Sequence, residues 1–301
     1  MYKIIGGFYM YAHVNGVKLF FDVEGMGFVP DGPIMREKPV CFILHGGPGG
    51  DHTGFKPALT PLAEDMQLVY IDYRGSGRSE KGPQSTYTLE NNVEDLEELR
   101  KYLGLEKIVL MGQSYGGMVA LEYAKKYQEN LKSLLLVVTA PSGKFLEKAK
   151  ETVRLKGTPK QKEMAQILFD GAFESDEQQR EYFKVMAPMY SYSYSDTPEA
   201  ELARNNADQR TNRSYQALNE GFGGFLREYD VEEFLPSIHV PTLIVTGRHD
   251  WITPVEGSIL MSEKIPNSEL VIFEESSHSV VKDEHEKFIK TVKEFVEKKI
   301  R

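Results

Sequence analysis

The chain has 301 residues, 41% of them hydrophobic, 27% charged and 11% aromatic, a balance that excludes disordered and fibrous classes. Its length exceeds the commonest domain size of roughly 100–150 residues, which leaves one large α/β domain with an insertion, or two domains. Lys and Arg total 36 against 45 Asp and Glu, a formal charge of −9, the wrong sign for neutralising nucleic-acid phosphates or docking on anionic lipid; the expected partner is a small molecule or short peptide.

In chain order, the opening MYKIIGGFYMYAHV is mildly apolar but interrupted by Gly6 and Gly7, and it lacks the charged start and small-residue cleavage site of a secretory leader. Strand-like runs rich in β-branched residues follow at 13–23, 39–44, 67–72, 107–111 and 134–138. None approaches the roughly 18 uninterrupted apolar residues of a membrane span, so no membrane association is expected. Cys41 is the only cysteine; it allows no internal disulfide and no Cys-based zinc cluster, and it fits a cytoplasmic protein. Between the third and fourth runs, Val93, Leu96, Leu99 and Leu103 recur at steps of three and four behind Thr88, which predicts an N-capped amphipathic helix. Val119, Ala120, Tyr123, Ala124 and Tyr127 mark one face of a second helix over 114–127.

Strands alternating with helices predict a mostly parallel sheet flanked by helices. From Pro141 to about Val240 the sequence turns polar and helix-like with no strand run. A parallel crossover needs only about a dozen residues, so the expectation is a core of residues 1–140 and 240–301 with an inserted helical cap at 141–239. Strand runs return at 241–246 and 269–273, and a closing helix carries Phe288, Ile289, Val292, Phe295 and Val296, with basic KKIR at its end.

The sharpest motif is Gly112-Gln113-Ser114-Tyr115-Gly116, a G-x-S-x-G between a buried strand and an amphipathic helix. A serine lifted on such a turn adopts a strained backbone, small neighbours let the chain approach, and the helix N-terminus aims its N–H groups at charge forming there. A packing turn or phosphate site is the bland alternative. A nucleophilic serine needs a base and an orienting acid. His278 in ESSHS and Asp250 in GRHD follow the last two strand runs, and residues just past parallel strands converge on one sheet edge. The order Ser114, Asp250, His278 is the order of the α/β-hydrolase triad. His249 is disfavoured because adjacent extended residues point apart. His45-Gly46-Gly47-Pro48-Gly49-Gly50 follows another strand; Gly47, with the N–H of Tyr115, is the expected oxyanion hole. No Gly-Lys-Ser/Thr follows to make it a P-loop. Asp72 and Arg74 are read as loop-ordering residues, with substrate contact the alternative.

HGGPGG, DYRGSGRS, GQSYGG, GRHDWITP and SSHS together resemble the α/β-hydrolase superfamily, and most closely its proline iminopeptidase-like group, peptidase family S33. The resemblance covers about residues 13–140 and 240–300. It implies an α/β-hydrolase fold, a serine hydrolase using Ser114, Asp250 and His278 with Gly47 and Tyr115, and no metal or organic cofactor. Proline iminopeptidases hold the substrate's amino terminus with cap glutamates and, in some members, an acid directly after the triad Asp; here Trp251 stands in that place. Glu220 is the candidate amine anchor, a solvated helix residue being the alternative. Tyr190 and Phe222, with other cap aromatics, either line a pocket with Trp251 or pack cap against core. The substitution at Trp251 carries the expectation that amine-free esters are cleaved at least as well as prolyl amides. A non-catalytic scaffold of the same fold is the rival class, and a complete Ser, Asp and His set speaks against it.

Overall fold

A computed structural model describes residues 10–300. The stretch weighed as a leader falls mostly at 1–9, and Arg301 of the basic tail also lies outside the described residues.

The chain opens with two strands, β1 (Met10–Val14) and β2 (Val17–Glu24), paired antiparallel. They turn at Asn15 and Gly16, whose φ values are 46° and 71°; a two-residue type I′ turn needs both positive. The single strand expected at 13–23 is thus corrected to a hairpin, since residue alternation runs through such a turn and hides it. A second, unanticipated hairpin follows, β3 (Phe28–Asp31) and β4 (Ile34–Glu37), with Phe28, Ile34 and Met35 exposed. Then come β5 (Val40–Leu44), β6 (Gln67–Ile71), α1 (Leu89–Tyr102), β7 (Ile108–Gln113), α2 (Tyr115–Tyr127) and β8 (Leu131–Val137). Five helices occupy the next stretch: α3 (Phe145–Lys156), α4 (Pro159–Asp170), α5 (Asp176–Tyr190), α6 (Pro198–Asp208) and α7 (Tyr215–Gly223). The chain returns through β9 (Thr242–Gly247), α8 (Val255–Lys264), β10 (Ser268–Phe273), α9 (Val280–Asp283) and α10 (His285–Lys299).

Eight strands form one sheet in the order β1-β2-β6-β5-β7-β8-β9-β10. The pairings from β6 to β10 are parallel and those of β2 antiparallel. All five residues of β5 are buried. Val40, Phe42 and Leu44 face the layer of α1, α2 and α8, while Cys41 and Ile43 face the layer of α10, as expected for a central parallel strand covered on both sides. Truncating one of these buried aliphatics to alanine costs about 2–5 kcal/mol. The Thr88 hydroxyl accepts the Asn91 N–H at 3.2 Å and caps α1 as its sequence predicts. The helical stretch leaves and rejoins the core through paired stems, Gly143 N–H to the Tyr229 carbonyl at 2.6 Å and Val231 N–H to that of Pro141 at 2.9 Å.

Candidate active site

Strand ends position Ser114, Gly47, Asp250 and His278, while Tyr190, Glu220 and Phe222 come from α5 and α7. Ser114 follows β7 with φ 56° and ψ −122° and stands at the N-terminus of α2. A side chain there is strained, and such strain persists only where surroundings over-determine it. Those surroundings are glycines. A Cβ on Gly112 would lie 2.2 Å from the Gly116 carbonyl oxygen, and one on Gly116 would lie 2.3 Å from that of Leu44. The Ser114 N–H bonds the Val137 carbonyl at 2.9 Å, and Thr139 Oγ1 donates to the Ser114 carbonyl at 2.7 Å.

The loop after β5 runs against the serine: a Cβ on Gly46 would sit 3.1 Å from Ser114 Cβ and 3.6 Å from its Oγ. Gly47 has φ 127°, a backbone that favours glycine. His45 orders this loop by pairing Nδ1 with the Gly46 carbonyl at 2.8 Å and accepting the Tyr73 N–H on Nε2 at 3.3 Å. Burial lowers its pKa from the ordinary 6.5, so the ring stays neutral and both bonds persist. Tyr115 opens α2, and Asn92 donates to its buried hydroxyl at 2.7 Å.

Asp250 and His278 follow β9 and β10 and meet at 2.7 Å, Asp250 Oδ2 to His278 Nδ1. The other carboxylate oxygen accepts the N–H groups of Ile252 and Thr253, both at 2.9 Å, and Thr253 Oγ1 lies 2.8 Å from Oδ2. This fixes the carboxylate and engages His278 through Nδ1, with Nε2 free of a hydrogen bond among the described residues. His249 instead stacks on Tyr192 at 4.9 Å.

Sequence reasoning passed over several supports. Thr253 reaches Asp250 and the Val138 carbonyl, and its position three after an Asp was a readable turn signal. Val138 itself has φ 43°, rare for a β-branched residue, with no local sequence mark. A second buried pair, His52 Nδ1 with Asp72 Oδ1 at 2.8 Å, pins the glycine-loop side of the site. Burial alone would raise the Asp72 pKa, but the His52 hydrogen bond and neighbouring charge hold it below the usual value. Arg74 serves a different neighbour, Asp95, through two nitrogens at 2.7 and 2.5 Å.

Trp251 is 2% exposed, edge-on to Tyr190 at 5.3 Å and to Phe169 at 6.5 Å. Its indole N–H has no acceptor among the described residues. The Tyr190 ring lies 5.5 Å from that of His278, with its hydroxyl on Tyr182 at 2.7 Å. Phe222 is buried against Phe169, and Phe225 rather than Phe222 reaches Tyr115, at 5.9 Å. Glu220 is half-buried on α7, beside Gly221, where a Cβ would come 2.4 Å from Pro48 Cγ. Among the described residues no three His, Cys, Asp or Glu side chains are grouped to hold a metal ion, and no helix is long and apolar enough to cross a membrane.

The family profile of the α/β hydrolase fold matches residues 39–285. The chain belongs to that family. Among its relatives are a proline iminopeptidase of Pestalotiopsis fici, 31% identical over 96% of this chain and 99% of that protein, and one of Saccharolobus solfataricus, 34% identical over 84% and 83%. An α/β fold family hydrolase from Bacillus anthracis superposes with a TM-score of 0.77 at 23% identity, covering 95% of this chain and 98% of that one. The protein is a proline iminopeptidase-like α/β hydrolase and an enzyme.

Proposed function

We propose that this hydrolase works through an acyl-serine intermediate and releases an N-terminal residue from short peptides or related amides. The observation that carries the reading is the His278–Asp250 pair at 2.7 Å on the sheet edge that also holds the strained Ser114. His278 Nε2 takes the proton of Ser114 Oγ as that oxygen attacks the carbonyl carbon. Asp250 keeps the tautomer and stabilises the imidazolium. The oxyanion is met by the N–H groups of Gly47 and Tyr115, each such donor being worth about 10²–10³ in rate. His278 then protonates the leaving amine, and water repeats the sequence to free the acid. Residues 141–239 act as the cap, with Tyr190, Phe222 and Trp251 forming apolar walls.

The proline iminopeptidase relatives support an amine-bearing substrate, and Glu220, one residue from the contact of α7 with the glycine loop, is the carboxylate available to meet it. An unpaired ammonium in a closed pocket is costly to desolvate. A second reading, an esterase indifferent to the amine, is favoured by buried, aromatic-flanked Trp251 next to Asp250.

One measurement tests the shared mechanism and a second separates the two readings. A fluorophosphonate should label Ser114, and Ser114→Ala should lose on the order of 10⁶ in kcat, as in subtilisin; labelling elsewhere refutes the mechanism. Then kcat/KM for a prolyl arylamide, its N-acetylated form and a short-chain aryl ester is compared in wild type and Glu220→Gln. Free-amine preference that collapses in the variant supports the aminopeptidase; equal or better ester turnover that ignores Glu220 supports the esterase.

A further inference from the structure

The segment from α5 to α7 crosses the site on two feet. At its first foot, Asp283 Oδ1 accepts the hydroxyls of Ser191 at 2.5 Å and Ser193 at 2.8 Å and the Ser193 N–H at 3.2 Å. Asp283 Oδ2 accepts the Tyr192 N–H at 3.0 Å. At the second foot, the Asn212 N–H bonds Asp51 Oδ2 at 2.5 Å, Asn212 exchanges bonds with Gly77, and the Ser214 N–H meets the Gly49 carbonyl at 2.8 Å. The first foot stands on the end of α9, beyond β10, and through Tyr192 stacked on His249 on the loop after β9; the second stands on loops after β5 and β6. The elbow of β7 lies between them in the sheet. The helix joining the feet, α6, has no buried residue, and its Leu202 is 61% exposed. Little besides the feet therefore seats it.

One further bond ties this strap to the chemistry. Asp283 Oδ2 also accepts the Ser277 N–H at 3.0 Å, the amide directly before His278. Ser277 Oγ lies 2.7 Å from the Met189 carbonyl and 3.0 Å from that of His249. A single carboxylate thus fixes the histidine loop and the strap with charge-assisted bonds, roughly twice as strong as neutral ones.

We propose that Asp283 is a positioning residue whose carboxylate couples seating of the 191–212 strap over the site to the placement of His278. With the strap seated, all five donors hold the carboxylate, and it holds the histidine loop. When the strap lifts to pass substrate or product, four of the five donors leave, Asp283 holds the Ser277 amide alone and the histidine loop is less rigidly placed, so turnover belongs to the closed form. The proposal rests on the Ser114–His278 reading.

Three variants test it: Asp283→Asn, Asp283→Glu and the double change Ser191→Ala with Ser193→Ala. Backbone hydrogen exchange is followed at 191–196 and 276–280, with kcat and KM for a short-acyl and a long-acyl aryl ester. Asp283→Asn should speed exchange in both segments and lower kcat on both esters by about tenfold to a hundredfold, the scale of a small misplacement of a catalytic group, with KM little changed for the short ester and raised for the long one. Asp283→Glu should restore most of kcat. The double serine variant, which keeps the Tyr192, Ser193 and Ser277 N–H donors, should speed exchange at 191–196 and more weakly at 276–280, raise KM for the long ester and lower kcat on both esters by less than Asp283→Asn does. Exchange at 276–280 and kcat that stay at wild-type values in Asp283→Asn would overturn the coupling and leave Asp283 a cap anchor. So would a double variant that speeds exchange at 191–196 while exchange at 276–280 and kcat on both esters stay at wild-type values. If Asp283→Asn does not fold, the glutamate and serine variants decide by the same exchange and kcat readings. Failure of a fluorophosphonate to label Ser114 in wild type would instead overturn the underlying hydrolytic reading, whereas the exchange measurement stands apart from it.

Discussion

His45 is held neutral from both sides. Its Nε2 accepts an N–H from Tyr73 and its Nδ1 serves the Gly46 carbonyl, so protonation would turn the acceptor into a second donor facing an N–H. Burial depresses its pKa below 6.5 despite the opposing charges of Asp72 and Asp51. The unfolded chain takes up this proton at its ordinary pKa and the folded chain resists it until lower pH. Stability is therefore full above about pH 6.5 and falls as pH drops below it, by at most about 1.4 kcal/mol per pH unit for one proton. Urea midpoints between pH 7 and 5 should show this slope in wild type and a shallower one in His45→Gln; equal slopes would assign the loss to other groups. The role is specific to the fold: His45 precedes both Ser114 and Asp250, which sets it aside as the base, but as one histidine among seven it carries no sequence mark of its loop-ordering bonds.

The elbow was legible because everything it needs is local. G-x-S-x-G states where the backbone must be strained and where Cβ atoms are forbidden, and the structure places a strand end, Ser114 and α2 in that order. Gly116→Ala tests the element directly, since its Cβ would lie 2.3 Å from the Leu44 carbonyl and 2.9 Å from that of His45. Backbone cannot step aside as a flexible side chain can, so the change should lower stability by about 1–3 kcal/mol or more and displace the glycine loop from Ser114. Thermal melts and fluorophosphonate labelling rates read the two effects; an unshifted melt with normal labelling would contradict the packing. The hairpin at Asn15-Gly16 was also written in the sequence, as the strongest short-range hairpin signal, yet alternation on both sides favoured one long strand. The helices between β8 and β9 were less readable. Their apolar stripes predict helices, but which stripe meets which, such as Phe225 rather than Phe222 on Tyr115, is set by packing between residues distant in sequence.

At the scale of the molecule, the sheet order converts sequence distance into proximity: β7 and β9 flank β8, so groups 136 positions apart, Ser114 and Asp250, end on one edge. The charge acts over longer range. A net −9 attracts a cationic substrate before any contact forms, and fields of this kind change encounter rates by about 10–10³ where clefts focus them. A prolyl arylamide with its free amine is a cation and feels that attraction; its N-acetylated form and a neutral ester do not. Screening shortens the reach from about 30 Å at 0.01 M salt to about 8 Å at 0.15 M. If the amine-bearing substrate is the true one, its kcat/KM should fall severalfold across that range while the acetylated substrate and the ester stay nearly flat. Glu220→Gln should lower the free-amine value at every salt concentration yet leave most of the salt slope, because the slope belongs to the whole surface and the contact to one carboxylate. A slope that vanishes with Glu220 would place the attraction in the pocket alone, and a slope shared by all three substrates would trace the salt effect to the enzyme's own conformation.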